Sequence, residues 1–106
     1  MTIYALSSGP GLAGISVIRV SGPNTQKVIL KLTNKELPKP RVATMRKINK
    51  IKDNYLIDEG ILIWFPGPNS YTGEDMAEFH VHGSKAVIDA IHSSISQIDG
   101  CRLAEP

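Results

Sequence analysis

The sequence contains little cysteine, few aromatic residues and no long apolar run. Cys101 is the single cysteine in 106 residues, so no disulfide can form within the chain, which suits a reducing compartment. No apolar run approaches the ~20 residues of a membrane-spanning helix. Residues 1–6 lack the basic and apolar regions of a signal peptide and are predicted to form a strand instead. We therefore expect a cytoplasmic protein that does not enter a membrane.

Composition indicates one globular domain. The chain is 42% apolar and 21% charged, unlike a disordered sequence. Its length favours a single domain spanning residues 1–106. Because only six residues are aromatic, valine, isoleucine and leucine must form most of the core.

The formal net charge is only +2, which does not by itself indicate a nucleic-acid partner, but the cations are clustered. The clustered cations are Lys35, Lys39, Arg41, Arg46, Lys47, Lys50 and Lys52. A cluster of this kind is either the solvated face of a hairpin or an electrostatic footprint for a polyanion. The solvated face is the simpler interpretation.

Hydrophobic periodicity predicts eight elements in the order β-β-α-β-β-β-α-β. Strands are predicted at 2–6, 15–20, 42–51, 55–65 and 76–82, with a last strand after Gly100. One helix is predicted to begin at Ser21-Gly22-Pro23, and the other to span 84–98. The strands at 42–51 and 55–65 are predicted to join at Asp53-Asn54. This order predicts an α+β domain with two helices packed on a mixed, mostly antiparallel sheet.

Each predicted helix has one apolar face. The residues predicted to be buried are Thr25, Val28, Ile29 and Leu32 in the first helix, and Val87, Ile88, Ile91, Ile95 and Ile98 in the second. Ser84 is a suitable N-cap, and Gly100 follows the end of the second helix. His92 is expected on the exposed side of that helix.

A glycine-rich segment, residues 9–14, matches the dinucleotide-binding pattern G-x-G-x-x-G in letters only. That pattern requires a helix to begin at the glycines, whereas the β-branched run 15–20 predicts a strand. The chain also contains no G-x-x-x-x-G-K-[ST] motif for binding nucleotide phosphates. We interpret the segment as a connection between strands.

Polar residues alternate along the strand 76–82. Glu78, His80 and His82 share one face, which allows either a metal site with two imidazoles and a carboxylate or a hydrogen-bonded polar surface. Arg19 lies within another apolar strand, where its guanidinium group requires an ion-pair partner, solvent or a ligand.

Two stretches carry a resemblance to a known family. They are Ala5-Leu-Ser-Ser-Gly-Pro-Gly-Leu-Ala-Gly-Ile-Ser-Val-Ile-Arg-Val-Ser-Gly22 and Pro66-Gly-Pro-Asn-Ser-Tyr-Thr-Gly-Glu-Asp-Met-Ala-Glu-Phe-His-Val-His-Gly-Ser84. They resemble the amino-terminal domain of the tRNA-modification GTPases MnmE/TrmE, and Leu37-Pro-Lys-Pro-Arg41 between them fits as well. The resemblance covers the whole chain.

The resemblance implies a fold similar to the folate-binding domain of the glycine-cleavage T protein, and a site for 5-formyltetrahydrofolate. Arg19 and Glu78 match the family's cofactor-binding residues, while a third contact, a lysine, would lie beyond Pro106. Further residues expected to line the pocket are Gly11, Gly14, Asn69, Tyr71 and His80. No catalytic residue is expected in this domain.

The resemblance also implies partners. It implies homodimerisation through this domain and, in the full-length protein, cooperation with the flavoprotein MnmG in modifying the wobble uridine of tRNA. GTP, Mg²⁺ and K⁺ would belong to a GTPase domain that this chain lacks, so the chain alone is predicted to be inactive as a GTPase. Two alternatives remain open: a metal-binding domain using Glu78, His80 and His82, and an interaction module without a ligand.

Overall fold

The computed structural model describes residues 1–7 and 14–105, in eight elements that follow the predicted order. The strands are β1 (Thr2–Leu6), β2 (Ile15–Ser21), β3 (Thr44–Asn49), β4 (Leu56–Phe65), β5 (Met76–His82) and β6 (Cys101–Leu103); the helices are α1 (Thr25–Thr33) and α2 (Lys85–Ser96). The predicted α+β class and the predicted order are both confirmed.

The strands form one six-stranded sheet in the order β3-β4-β5-β2-β1-β6. Within the described chain the pairings are antiparallel except for β1 with β6, which run parallel with Thr2 beside Cys101. The sheet is therefore mixed and mostly antiparallel, as predicted. Strands β5 and β2 lie at its centre, and β3 lies at one edge.

The core lies between one face of the sheet and both helices. Ile18, Leu62 and Phe79 are fully buried and contribute to one apolar cluster with Ile29 and Ile95 from the helices. Side chains alternate along a strand, so residues next to these point to the other face. No helix among the described residues packs on that other face, which we call the open face.

Helix α1 begins at Thr25, so the prediction that it begins at Pro23 is wrong. Gly22 has φ +140°, outside the helical region, and an added Cβ there would lie 2.6 Å from Thr2 Cα. The backbone N–H of Asn24 donates to Thr2 Oγ1 at 2.7 Å. This contact with β1 fixes the chain before the helix begins. The predicted buried face of α1 is confirmed.

The hairpin formed by β3 and β4 is shorter than predicted. Its strands stop at Asn49 and resume at Leu56, and the pairing register shifts between Ile48 and Asn49. The Lys50 N–H donates to the Tyr55 carbonyl oxygen, at 2.8 Å, and the Asn54 N–H donates to the Lys50 carbonyl oxygen. The connection is therefore a wider loop than the turn predicted at Asp53-Asn54.

Helix α2 has the predicted N-cap: Ser84 Oγ accepts the N–H of Val87 at 3.1 Å. The predicted exposure of His92 is wrong. Its ring packs edge-on against Tyr4 with centroids 5.3 Å apart, and its buried Nε2 has no hydrogen-bond partner among the described residues. Burial lowers the pKa of His92, against the opposing charge of Asp89.

Five residues were predicted on the buried face of α2. Ile91 and Ile95 are buried, and Ile98 lies in the core just beyond the helix, while Val87 and Ile88 are only half-buried. Neither α1 nor α2 is long and apolar enough to cross a membrane.

Candidate functional site

The open face carries an ion pair at the centre of the sheet. Arg19 on β2 lies opposite Glu78 on β5 in the antiparallel register, and Arg19 Nη2 donates to Glu78 Oε2 at 2.8 Å. The Glu78 side chain is 18% exposed and that of Arg19 is 39% exposed. A guanidinium that sequence alone left without an assigned partner thus has one on the neighbouring strand.

His80 holds the second oxygen of the same carboxylate. Its Nε2 donates to Glu78 Oε1 at 3.0 Å, because both side chains project from β5 on the open face. Burial alone would raise the pKa of Glu78, but hydrogen bonds from His80 and Arg19, together with their charges, bring it below its usual value. Glu78 is therefore ionised at neutral pH and fixed from both sides.

A cavity of about 290 Å³ opens over this pair. Its lining residues are Arg19, Phe65, Tyr71, Met76 and Glu78. Phe65 ends β4 and Met76 begins β5, so two apolar side chains form walls beside the carboxylate. The Tyr71 ring centroid lies 5.9 Å from Arg19 Cζ, within cation–π range. The cavity thus combines apolar walls with a few polar groups, as small-molecule sites do.

A second hollow, of about 200 Å³, lies on the other side of Arg19. Ile3 and Ala5 of β1 line it, together with Ser21 and Thr72. The hydroxyl groups of Ser21 and Thr72 are 2.8 Å apart and hydrogen-bonded. Arg19 therefore separates two neighbouring hollows that could together hold an elongated ligand.

The loop between β4 and β5, residues 66–75, is tied to the end of β2. Asp75 Oδ1 accepts the N–H of Gly67 at 2.9 Å, which closes the loop on itself. The Asp75 carbonyl oxygen accepts the N–H of Gly22 at 3.0 Å and the hydroxyl of Thr25 at 3.1 Å. These bonds place the loop, and with it Tyr71, beside Arg19.

The other residues predicted to line the pocket have different positions. Asn69 does not line the cavity; its carbonyl oxygen accepts a hydrogen bond from Arg41. His80 contacts Glu78 but not the cavity, and Gly14 lies at the far end of β2, where its carbonyl oxygen accepts the Gly83 N–H at 3.1 Å. Gly11 lies outside the described residues.

Phe65 and Met76 both line the cavity, and Met76 was not predicted there. The alternation of side chains along β5 could have predicted that Met76 lines the cavity, because Met76 and Glu78 are two residues apart on one strand face.

The three residues of the metal alternative do not form a ligand set. His82 contacts Asp58 instead of Glu78. The Asp58 carboxylate pairs with His82 Nδ1 at 2.9 Å and also accepts the backbone N–H of His82 at 2.9 Å. Burial alone would raise the pKa of Asp58, but the hydrogen bonds from His82 and the Glu59 backbone, together with the charge of His82, bring that pKa below its usual value. Across residues 1–7 and 14–105, no group of three or more His, Cys, Asp and Glu side chains is arranged to hold a metal ion.

The chain matches a known protein family over almost its whole length. Residues 2–106 match the family described as GTP-binding protein TrmE N-terminus. The chain belongs to this family. The resemblance stated from the two sequence stretches is therefore confirmed, and both stretches contribute strands to the open face.

Individual relatives agree. The chain is 72% identical over 106 residues to the tRNA modification GTPase MnmE of Pelagibacter ubique, covering 100% of this chain and 24% of that protein. It is 48% identical over 104 residues to the 5-taurinomethyluridine-[tRNA] synthase subunit GTPB3, mitochondrial, of Danio rerio, covering 98% of this chain and 21% of that protein. This TrmE amino-terminal chain thus spans about a quarter of the length of the curated relatives it matches.

Proposed function

We propose that this chain is the tetrahydrofolate-binding and homodimerising module of a GTPase that modifies the wobble uridine of tRNA. The observation that carries the proposal is the Arg19–Glu78 pair at the floor of a cavity with apolar walls. The family and the names of its relatives supply the tRNA-modification context.

The chemistry of Glu78 suits a pterin ring. The 2-amino-4-oxo edge of a reduced pterin presents adjacent N–H donors, which one carboxylate can accept as a bidentate pair. Each oxygen of Glu78 already accepts one hydrogen bond, from Arg19 or from His80, and keeps a second lone pair for the ligand. The lowered pKa of Glu78 keeps the carboxylate ionised and so able only to accept.

The two neighbouring hollows offer space for two parts of 5-formyltetrahydrofolate. The cavity over Glu78, about 290 Å³, is near the lower end for ligand sites and suits the pterin ring between Phe65 and Met76. The rest of the ligand would pass Arg19 towards the second hollow or solvent. The Arg19 guanidinium would then face the formyl oxygen or a carboxylate of the ligand.

The open face also supports homodimerisation. It carries exposed apolar side chains, including Ile3 and Ile15. Burying such side chains against a second copy would remove apolar surface from water. The expected measurement is a dimer in sedimentation equilibrium; a monomer at high protein concentration would contradict this part of the proposal.

The remaining functions of the full-length protein lie outside this chain. GTP, Mg²⁺ and K⁺ would bind in a GTPase domain, and the sequence here contains no phosphate-binding motif with its lysine. The chain alone is therefore expected to release no phosphate from GTP. The flavoprotein MnmG and tRNA are the proposed partners of the full-length protein in the cytoplasm.

Calorimetric titration of the chain with 5-formyltetrahydrofolate tests the proposal. We expect saturable binding, and Glu78→Ala should weaken it by roughly 1.5–3 kcal/mol, about ten- to a hundredfold, because a charge-assisted hydrogen-bond acceptor is lost. Glu36→Ala removes an exposed carboxylate outside both hollows and is the matched control. No binding by the folded wild-type chain would contradict folate recognition and favour the ligand-free interaction module.

A further inference from the structure

Positive charge is concentrated in one part of the chain. Residues 35–52 contain seven lysines and arginines but one carboxylate, Glu36. The rest of the chain contains five cations and nine carboxylates. The small net charge of the whole chain is therefore the sum of a strongly basic segment, residues 35–52, and an acidic remainder.

The fold brings part of this segment to one groove at the edge of the sheet. Lys35 follows the end of α1, whereas Arg46 and Lys47 lie on the edge strand β3. All three line a groove of about 340 Å³, which Asn34 and Asn49 also line. We call these five residues the basic edge. Its donors come from two elements that are separate in sequence. The Asn34 side-chain amide donates one hydrogen bond to Asn54 Oδ1 at 2.8 Å and has a second N–H.

The charges of the basic edge are not neutralised by ion pairs. None of the ion pairs within 4.0 Å in the described chain includes Lys35, Arg46 or Lys47. Glu59, which also lines the groove, lies opposite Lys47 in the β3–β4 register without forming such a pair. Arg46 donates to the Met45 carbonyl oxygen at 3.2 Å, and its buried Nε has no partner among the described residues.

We propose that the basic edge binds the phosphate backbone of RNA. Lysine, arginine and asparagine side chains are common donors to phosphate oxygens, and such contacts position a nucleic acid without reading its sequence. No aromatic side chain is among the described residues that line the groove, so base stacking is not part of this recognition. Contact with the phosphate backbone accounts for the cations and asparagines of the groove, although Glu59 and Met45 line it as well.

The choice of RNA as the polyanion rests on the proposed function, because the relatives' names place the family in tRNA modification. The position of the edge agrees with that choice. β3 is separated from β5 by β4 alone, and adjacent strands lie about 4.8 Å apart, so the edge lies about 10 Å from the strand that carries Glu78. Lys47 lies opposite Glu59, which is four residues along β4 from Ile63, the partner of Glu78, so Lys47 and Glu78 are roughly 16 Å apart.

Cations on an edge strand also have a purely structural use, because they prevent edge-to-edge pairing of sheets. That use accounts for Lys47 on β3. It does not account for Lys35, which lies beyond α1 and yet lines the same groove. The convergence of the two elements therefore favours a ligand.

Fluorescence anisotropy with a labelled tRNA transcript tests the proposal. We compare the wild-type chain, the pair K35A/K47A and the pair K27A/K85A, in which each pair removes two exposed lysines. At 50 mM salt K35A/K47A should bind about tenfold more weakly, and the slope of log K against log salt should fall by about 1–2, as expected for lost phosphate contacts. K27A/K85A should remain within about twofold of the wild type.

Three results would overturn the proposal. They are absence of tRNA binding by the wild-type chain at 50 mM salt, equal loss in the two pairs, and competition by polyglutamate as effective as that by unlabelled tRNA, which would indicate an acidic protein partner. Circular dichroism of each pair confirms that it is folded. The folate titration on K35A/K47A should match the wild type, so failure of RNA binding is distinguishable from failure of the proposed function.

Discussion

Arg19 and Glu78 lie directly opposite each other on adjacent antiparallel strands, and their side chains meet at 2.8 Å on the open face. This relationship depends on strand register. A shift of β5 by one residue would turn Glu78 into the core and Phe79 to solvent, because the side-chain period of a strand is two. Burial of Phe79 and the position of the candidate site are therefore fixed by the same pairing.

Replacing Glu78 by glutamine tests the acceptor role. The amide of Glu78→Gln keeps the shape but presents an NH₂ group to the N–H edge of a pterin, so folate affinity should fall about as far as in Glu78→Ala, roughly tenfold or more. Calorimetry measures the affinity. Wild-type binding by Glu78→Gln would show that shape, and not hydrogen-bond acceptance, is what matters at this position.

Replacing Arg19 tests how the carboxylate is held. Arg19→Met removes a hydrogen bond and a positive charge from Glu78, while burial remains, so the pKa of Glu78 should rise. The side-chain carboxyl carbon shift, followed by NMR against pH, reports this change. Arg102→Met, on exposed β6, is the control and should leave the titration of Glu78 unchanged.

Acid should destabilise the chain through two carboxylates. The pKa values of Glu78 and Asp58 are lowered by folding, so the unfolded chain binds protons more readily. Their stabilisation is fully present above the unfolded pKa values, about 4.3 for Glu and 3.9 for Asp, and is lost as pH falls through the folded values. Urea unfolding at pH 7, 5, 4 and 3 should show the decrease below pH 5. An unchanged slope in Asp58→Asn would contradict the contribution assigned to Asp58.

His92 should add a second pH dependence at higher pH. Its pKa is lowered by burial, so the unfolded chain takes up this proton first. Its share of stability is present above the unfolded pKa, about 6.5, and falls as pH drops towards the folded value. His92→Leu should remove this part of the slope between pH 7 and 5. If the slope persists in His92→Leu, the packing of His92 on Tyr4 is not its source.

The N-cap of α2 should have a measurable effect on stability. Ser84→Ala removes the bond to the Val87 N–H and should lower the free energy of unfolding by about 1 kcal/mol. Ser84→Asp keeps an acceptor and should be close to the wild type. Thermal and urea unfolding measure both variants; equal loss in the two would indicate that the Ser84 hydroxyl has another role.

Local sequence patterns predicted the class, the element order and the alternation of β5, because each depends on neighbouring residues. Long-range contacts decided what the patterns missed. The start of α1 was misplaced because Gly22 packs against Thr2, and His92 was misplaced because its neighbour, Tyr4, comes from β1. His82 shares a strand face with Glu78, yet Asp58 on the neighbouring strand holds it.

In the candidate site too, local sequence patterns predicted some features, and long-range contacts decided the others. Periodicity placed Glu78 on a polar face but could not pair it with Arg19, since that depends on the β2–β5 register. The family resemblance implied both residues as cofactor-binding, and the structure brings them to one cavity. The pocket role of Met76 and the hydrogen bond from His80 to Glu78 came from the structure.

The central pairing of β2 with β5 also bears on how fast the chain folds. The partners Arg19 and Glu78 are 59 residues apart in sequence, and the edge pairing of β1 with β6 joins positions still farther apart. Mixed domains with such non-local pairings fold more slowly than helical bundles and faster than all-β domains. The cavity cannot form before β2 and β5 have paired. Ligand binding during refolding would therefore measure the formation of the native sheet and would not detect earlier folding steps.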